Sequence, residues 1–503
     1  MYRREVAWLV AALCVLGTCW ALLTPPVMSW DEDAHITKAV ALWHGQLRGD
    51  RMVPNGDEPG SYIVDEYQIP GDYAVARNRH FCVYEGQPLG CMHSFDRDQT
   101  PVATPSEAGN YPPLYYAFVG WPSRVIDAST GIYGIRVMSV VIFALAIGAG
   151  WSELRRRLSV WVTTLLTMVA VTPTMMMLAG SVNPNGFEIA AAFAAWSYAF
   201  GVFGDIGHGL KVSTHRLVGL VASIAVFAGV RTLSPVFAVV ILGVAWWVSN
   251  PRVLLRSSTA RLATAACVVA SLLWAVLAAT GGHLQQFEPR DLDNGLGDKI
   301  AIMCIFVGQQ LIGWSSTFVW GDLTLWFVGG LYLIGLYLFG RACVRSRSDL
   351  SRAKQHLPLA LLGLCVVVPS AITMVELNKV GVLWQPRYAL PLVIGAVIAY
   401  GVQSGDIASK NRRGLILAVG LIAVVIHVVS FVVVAAFFDA RGDADLSSGI
   451  VAWSPPAPLW ALLAVTCVVG AGVARRVVAM SREATTPSVP EDSRQARPES
   501  LAY

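Results

Sequence analysis

Charged residues are scarce in this sequence: Asp, Glu, Lys and Arg make up 14% of its 503 residues, while hydrophobic types make up 55%. Soluble globular domains carry about 25% charged residues, so this composition indicates a chain that crosses a membrane several times. The chain also lacks an internal repeat, a P-loop, a dinucleotide-binding glycine motif and any Cys/His spacing typical of zinc. ATP hydrolysis, dinucleotide redox chemistry and a structural zinc site are therefore unsupported.

Cysteine is present, but its nine copies are too scattered for a disulfide framework. Most lie in apolar runs, where a thiol packs as a small hydrophobic group. Cys82 and Cys91 differ, because both lie in a polar block with Gly and Pro between them. In an oxidising compartment such a pair can close a small ring, and we predict a disulfide between them.

Long apolar runs recur along the whole chain, apart from a polar block between Pro25 and about Asn110. About 20 apolar residues are enough for a helix to cross a bilayer. We therefore predict an all-α polytopic membrane protein with about twelve transmembrane helices (eleven to thirteen). The spans lie near residues 7–24, 132–151, 158–180, 187–204, 216–230, 233–249, 263–280, 323–341, 358–375, 388–404, 414–437 and 457–474. The 216–249 region can be read as two spans or as one kinked span.

The distribution of Lys and Arg predicts the orientation. With the N-terminus inside, short cytoplasmic loops and the tail hold 23 of the 37 basic residues, and the even span count returns the C-terminus to the cytoplasm. The first outer loop is acidic, with 14 Asp and Glu against 7 Lys and Arg. The net charge of +4 therefore reflects membrane topology, and no nucleic-acid partner is expected.

Four regions follow from this pattern. Residues 1–24 form the first transmembrane helix, favoured as a retained anchor over a signal peptide, and 25–130 form an extracytoplasmic loop. Residues 131–480 form the helical bundle, and 481–503 form a disordered cytoplasmic tail. The loop should hold juxtamembrane helices, with an irregular stretch from Asp50 to Thr104. A further surface or re-entrant helix is expected at Ile300–Phe318.

Three carboxylates stand where the first span ends, in the run Trp30-Asp31-Glu32-Asp33-Ala34-His35. Pro25 and Pro26 stop the span, so the acids lie at the membrane surface, at the depth of a lipid head group. Asp31 is the leading candidate for a general base, with Glu32 adjacent and His35 one helical turn away. The alternative for Glu32 is an ordinary acidic helix start.

Basic and polar residues at other outer helix ends complete the candidate site. Arg387, followed by Tyr388, enters the tenth span, and its planar fork suits a phosphate; Arg231 and Lys379 are reserves. Ordinary interfacial anchoring by Trp, Arg and Tyr is the alternative. Glu188 interrupts an apolar run after an outer turn. The remaining candidates for the substrate cavity are Tyr111, Pro112, Tyr115, Asn183, Asn185 and Gln385.

Three features together resemble the GT-C membrane glycosyltransferases, which use polyprenyl-phosphate sugars. They are the acidic motif after span one, about a dozen spans, and the stretch Tyr111-Pro112-Pro113-Leu114-Tyr115-Tyr116. The motifs Asp31-Glu32-x-Ala34-His35, Asn183-Pro184-Asn185 and Arg387-Tyr388-x-x-Pro391 resemble still more a mostly actinobacterial group of predicted multi-pass membrane proteins. Asp33 replaces the proline usual in that group, and Gln385-Pro386-Arg387 replaces Gln-Gly-Arg.

The resemblance implies a glycosyltransferase on the outer face of the plasma membrane. It would transfer a sugar from a polyprenyl-phosphate donor to an envelope polysaccharide or glycolipid, with Asp31 as base and Arg387 on the leaving phosphate. No cofactor is required, or a divalent cation such as Mg or Mn binds at Asp31 and Glu32. A flippase for lipid-linked saccharides and a non-catalytic scaffold are the rival interpretations. The sugar, the acceptor, the stereochemistry and the oligomeric state stay open.

Overall fold

The structure, a computed structural model, describes residues 3–52, 63–78, 97–281, 294–318, 323–345, 352–382, 384–404, 412–441 and 454–483. Within this part of the chain, nine helices are long and apolar enough to cross a membrane, and a bent pair makes a tenth. Two more apolar helices, Thr214–Ala228 and Ser234–Val248, are shorter. The prediction of an all-α polytopic membrane protein is confirmed.

The described residues form eighteen α-helices. They are Arg3–Leu23 (α1), Glu32–Trp43 (α2), Gly71–Asn78 (α3), Leu114–Val119 (α4), Ala128–Leu154 (α5), Val160–Ala170 (α6), Pro173–Ala179 (α7), Pro184–Gly207 (α8), Thr214–Ala228 (α9), Ser234–Val248 (α10), Pro251–Arg256 (α11), Ser258–Gly281 (α12), Leu296–Ser316 (α13), Trp326–Arg345 (α14), Arg352–Val380 (α15), Leu390–Ser404 (α16), Arg412–Arg441 (α17) and Leu459–Glu483 (α18).

The centre of the bundle is α8: of the residues in its most apolar 18-residue stretch, 89% are buried. It packs against α5, α7, α9, α10 and α16. Its many alanines and glycines allow this crowding, because small side chains let helix backbones approach closely. The space at one contact is tight: a Cβ added to Gly150 of α5 would lie 2.6 Å from the ring of Phe193.

Two predicted spans differ in shape from simple helices. The 158–180 span is broken into α6 and α7, which meet at 73°, because Pro173 starts a new helix behind the capping side chain of Thr172. The 216–249 region forms the two helices α9 and α10. Gly229 follows the first helix, and Pro235 lies in the first turn of the second.

The first long loop contains a small sheet where we expected irregular chain. The strands Asp50–Met52 (β1), Val64–Pro70 (β2) and Pro101–Ser106 (β3) pair antiparallel in the order β1-β2-β3. With α3, α4 and two 3₁₀ turns, Glu107–Asn110 and Trp121–Arg124, this sheet covers α2. Polar side chains of α2, among them Asp33, His35 and Lys38, are therefore buried by protein.

The helix α13 extends beyond the surface or re-entrant helix expected at 300–318, and by length and composition it could cross a membrane. A two-stranded hairpin, Thr317–Phe318 (β4) and Leu323–Thr324 (β5), joins it to α14. Gly313 of α13 lies against Pro386, which starts the 3₁₀ turn Pro386–Ala389 before α16. The helix α13 thus packs against the turn that carries Arg387.

Candidate functional site

Asp31 lies at the junction between α1 and α2 in an unusual backbone conformation. Its φ of 54° and ψ of 18° are left-handed, a region that Asp tolerates better than most residues. Although it occupies the N-cap position of α2, its side chain makes no capping hydrogen bond. The carboxylate turns instead to Arg387, whose Nη2 donates to Oδ2 at 2.5 Å. The side chain of Asp31 is 38% exposed and that of Arg387 is 2% exposed.

Arg387 is a buried guanidinium with unused hydrogen-bonding capacity. It stacks over Trp30, 5.0 Å from the ring centroid, and over Tyr388 at 5.1 Å. Its Nε and Nη1 are buried and have no hydrogen-bond partner among the described residues. A buried N–H without a partner costs about 1–3 kcal/mol, more when it is charged. The arrangement therefore leaves two buried nitrogens, on different sides of the guanidinium, that can each donate to an anion.

Arg231 approaches the same aromatic ring from the link between α9 and α10. It lies 4.5 Å from the centroid of Tyr388 and donates to Asn185 Oδ1 at 2.6 Å. The guanidinium also contacts Glu188 Oε2 at 3.4 Å and donates to the hydroxyl of Tyr111 at 3.2 Å. Two arginines thus lie against Tyr388, each paired with one carboxylate, and the formal charges of the two pairs balance.

The turn before α8 joins this cluster to the Asp31 junction. Asn183 caps α8, because its Oδ1 accepts from the backbone N–H of Asn185 at 2.9 Å. Its Nδ2 donates to the carbonyl of Trp30 at 2.6 Å. The other end of the network is Glu188, which accepts from the Ser234 hydroxyl at 2.7 Å. The structure therefore places Asn183, Asn185 and Glu188 in one network that reaches the residue before Asp31.

His35 lies against the aromatic residues of the 111–116 stretch. Its Nδ1 is 2.9 Å from the Tyr116 hydroxyl, and its ring meets Tyr111 edge to face at 5.3 Å. Burial, together with the positive charges of Arg231 and Arg387, holds the pKa of His35 well below its usual value. The imidazole is therefore neutral near pH 7.

Pro112 and Tyr115 are buried beside these aromatic residues. The Tyr115 hydroxyl bonds to Ser139 Oγ at 2.7 Å, and its ring packs edge to face on Tyr116. Both residues therefore pack in the protein interior near Tyr111 in the chain.

Glu32, next to Asp31, has a different environment. It is fully buried and pairs with Arg136 of α5, which donates from Nε to Oε1 at 2.7 Å and from Nη2 to Oε2 at 2.6 Å. The backbone N–H of Val182 also donates to Oε1, at 2.9 Å. Sequence reasoning missed Arg136, although a charged residue inside an apolar span is a recognisable signal.

Lys38 is a second buried charge that the sequence analysis did not single out. Its ammonium donates to the Tyr67 hydroxyl at 2.8 Å and to the carbonyls of Gly109 at 3.0 Å and Leu47 at 3.4 Å. Burial lowers its pKa to about 8, against the opposing effect of Asp65. Lys38 thereby ties the small sheet and the chain just before Tyr111 to α2.

The remaining predicted site residues are Lys379, Gln385, Cys82 and Cys91. Lys379, at the end of α15, is 61% exposed and pairs with Glu376 at 3.5 Å. Gln385 precedes the Arg387 turn, where its carbonyl accepts from the Tyr388 N–H at 3.0 Å. Cys82 and Cys91, the predicted disulfide, lie outside the described residues.

The donor set does not fit a metal ion at Asp31 and Glu32. Both oxygens of Glu32 accept from Arg136, and Asp31 faces a guanidinium. In the part of the chain that the structure describes, no group of three or more His, Cys, Asp and Glu side chains could hold a metal.

Comparison with known proteins identifies a family and two distant structural likenesses. The model of a family described as predicted membrane protein (DUF2142) matches residues 14–396. ArnT from Cupriavidus metallidurans bound to undecaprenyl phosphate is 12% identical, with a TM-score of 0.42 over 95% of this chain and 77% of ArnT. Apo ArnT from the same organism gives 12% and 0.37 over 74% and 67%. No curated protein matches. The actinobacterial grouping stays a prediction.

Proposed function

We propose that this chain, which belongs to the DUF2142 family of predicted membrane proteins, is a GT-C-type glycosyltransferase. It would transfer a sugar from a polyprenyl-phosphate donor to a hydroxyl group of an envelope glycan or glycolipid. The observation that carries the proposal is the pairing of a partly exposed carboxylate, Asp31, with a buried arginine that retains two unused donors. A base and an anion-binding group thus lie in contact with each other.

The donor phosphate would bind at Arg387. Its Nε and Nη1, which lie on different sides of the guanidinium, can each donate to a phosphate oxygen, whereas a lysine would offer a single ammonium. Trp30 and Tyr388 hold the guanidinium by stacking, so it needs little reorganisation when the phosphate arrives. The position also suits a lipid-linked donor, because Asp31 follows closely on the end of the membrane helix α1.

The reaction balances with the groups present. The acceptor O–H gives its proton to Asp31, the acceptor oxygen bonds to the anomeric carbon, and the bond from that carbon to the phosphate oxygen breaks. The phosphodiester monoanion leaves as a phosphomonoester dianion. Protonation removes the negative charge of Asp31 while the phosphate gains one, so the pairing of Arg387 shifts from carboxylate to leaving group.

The other members of the cluster would shape the acceptor side. Arg231, held by Glu188 and Tyr111, adds positive charge beside Tyr388 without facing Asp31 directly. The Tyr111 ring offers an aromatic face of the kind that suits sugar C–H surfaces. Neutral His35 helps to orient that ring. Glu32 acts structurally through Arg136, and Lys379 takes no part in binding.

The proposed location is the plasma membrane, with both termini in the cytoplasm and the site on the outer face. The distribution of Lys and Arg supports this orientation, since the short loops assigned to the cytoplasm are basic and the first outer loop is acidic. The partners would be the polyprenyl-phosphate sugar, the envelope acceptor and the bilayer.

The test is complementation of a deletion strain with Asp31→Asn and Arg387→Ala, read by linkage analysis of envelope sugars. Lys379→Ala is the matched control, because it removes an exposed charge away from the cluster. We expect both site variants to accumulate in the membrane while one sugar linkage disappears, and the control to restore it. If both site variants restore wild-type linkages, the transferase proposal is wrong, and the flippase and scaffold interpretations move ahead.

A further inference from the structure

A narrow apolar crevice lies in the half of the bundle remote from Asp31. It is bounded by α1, α6, α17 and α18, with a volume of about 140 Å³. It contacts α1 from Glu5 to Leu16, toward the start of that helix, whereas Asp31 follows the helix end at Leu23. The crevice and the Asp31–Arg387 cluster are therefore separate sites.

The walls of the crevice suit hydrocarbon. Most lining side chains are aliphatic or aromatic, such as Leu9, Leu13, Val160 and Val428. Apart from the charged end, the polar lining side chains are three threonines and His427, whose Nε2 is bonded to the Val171 carbonyl at 2.9 Å. The helix α18, on one side of the crevice, is peripheral, since only 17% of the residues in its most apolar 18-residue stretch are buried.

One end of the crevice is charged. Arg476 of α18 lies over the ring of Trp8, 4.5 Å from its centroid, and Glu5 lies opposite on α1. Glu5 is paired with Arg155, whose Nε is 3.4 Å from its carboxylate. The pair of Arg476 and Trp8 combines a cation with an amphipathic ring, as expected where a bundle meets lipid head groups.

We propose that this crevice binds one acyl chain of an anionic glycerophospholipid, with the lipid phosphate at Arg476. An apolar cavity of about 150 Å³ is large enough to hold benzene, so this one accommodates a stretch of about six carbons. Inside a bilayer the hydrophobic effect does not favour the crevice over neighbouring lipid. Dispersion contacts along the walls and the charge at Arg476 must therefore provide the selectivity.

The charged end distinguishes this occupant from the hydrocarbon tail of a lipid-linked donor. The hydrocarbon tail of a lipid-linked donor would start near Asp31, at the end of α1. Any part of it that reached the crevice would be uncharged hydrocarbon. A glycerophospholipid instead places its phosphate at the Arg476 end. Replacing Arg476 should consequently weaken the binding of a glycerophospholipid and leave the binding of a donor tail unchanged.

The experiment measures lipid binding to the purified protein in detergent by native mass spectrometry. Phosphatidylglycerol and phosphatidylcholine with identical acyl chains are titrated against wild type, Arg476→Gln and the neighbouring Arg475→Gln. Arg475 is also exposed but does not line the crevice. We expect phosphatidylglycerol to bind more tightly, Arg476→Gln to reduce that preference about fivefold, and Arg475→Gln to leave it unchanged.

A second pair tests the acyl-chain site itself. Ala12 lines the crevice and Ala11 faces away, exposed. Ala12→Phe should abolish tight binding of both lipids, whereas Ala11→Phe should not. Equal binding of the two lipids to wild type, an Arg476→Gln variant that behaves like wild type, or a co-purifying polyprenyl lipid that Ala12→Phe displaces would each overturn the proposal.

Discussion

Arg136 donates hydrogen bonds to both carboxylate oxygens of Glu32, although the two residues lie 104 positions apart in the chain. The same guanidinium donates to the carbonyls of Ala21, Thr24 and Pro25, at 2.8, 2.5 and 2.8 Å. Ala21 lies in the last turn of α1, and Thr24 and Pro25 follow the end of that helix. The ion pair of Glu32 and Arg136 therefore holds the chain in place where it leaves α1, and Asp31 is not part of that pair.

Glu32→Gln should destabilise the protein strongly. Removing one partner of a buried ion pair costs about 3–5 kcal/mol, because the remaining charge is left uncompensated. Asp31→Asn should cost far less, since Asp31 is partly exposed and Asn keeps an oxygen that accepts from Arg387. Thermal unfolding of the two variants in the same detergent checks this. Equal losses of stability would contradict the division of roles between the two acids.

Arg387→Lys should retain the charge and lose the planar fork. We expect a large rise in KM for the donor, and for Arg387→Ala a fall in kcat of about 10²–10³, the usual effect of removing one transition-state donor. Steady-state kinetics with a polyprenyl-phosphate sugar in detergent measures both effects. Lys379→Ala serves as control, and a comparable loss in that variant would argue against the specific role of Arg387.

Asp31, Arg231 and Arg387 could be found from the sequence, because an acidic motif at a span end and an arginine at the start of a span are local signals. Their contact could not, since nothing in a single sequence relates position 31 to position 387. The sheet β1-β2-β3 was missed because β1 has only three residues and β3 contains two prolines, Pro101 and Pro105, which normally argue against a strand. The role of Lys379 stays a prediction; the structure shows it exposed and paired with Glu376 at the end of α15.

Acidic pH should destabilise the native state through His35. Its native pKa lies well below 6.5, so below pH 6.5 the unfolded chain binds a proton that the native state does not. Stability then falls as the pH falls, by up to about 1.4 kcal/mol per unit. Melting at pH 7.5 and 5.5 should show a larger loss for wild type than for His35→Gln. The same loss in both would assign the effect to other groups.

Alkaline pH should have the opposite effect through Lys38. Its native pKa of about 8 lies below the usual 10.5, so between these values the unfolded chain binds more protons. The cost of burying the ammonium therefore disappears as the pH rises from 8 toward 10.5, a gain of about 3 kcal/mol in full. Stability measured at pH 7.5 and 9.5 should rise for wild type relative to Lys38→Met. A constant difference between the two would show that the amine is already neutral, or fully solvated.

The 356-residue separation of Asp31 and Arg387 has a consequence for how the protein is made. During synthesis the first helix and its acidic turn are inserted long before the ribosome reaches the arginine. Until then Asp31 lacks the Arg387 guanidinium as a partner. On the proposed transferase mechanism, each chain would therefore be inactive through the insertion of most of its helices, until the turn before α16 brings Arg387 to the end of α1.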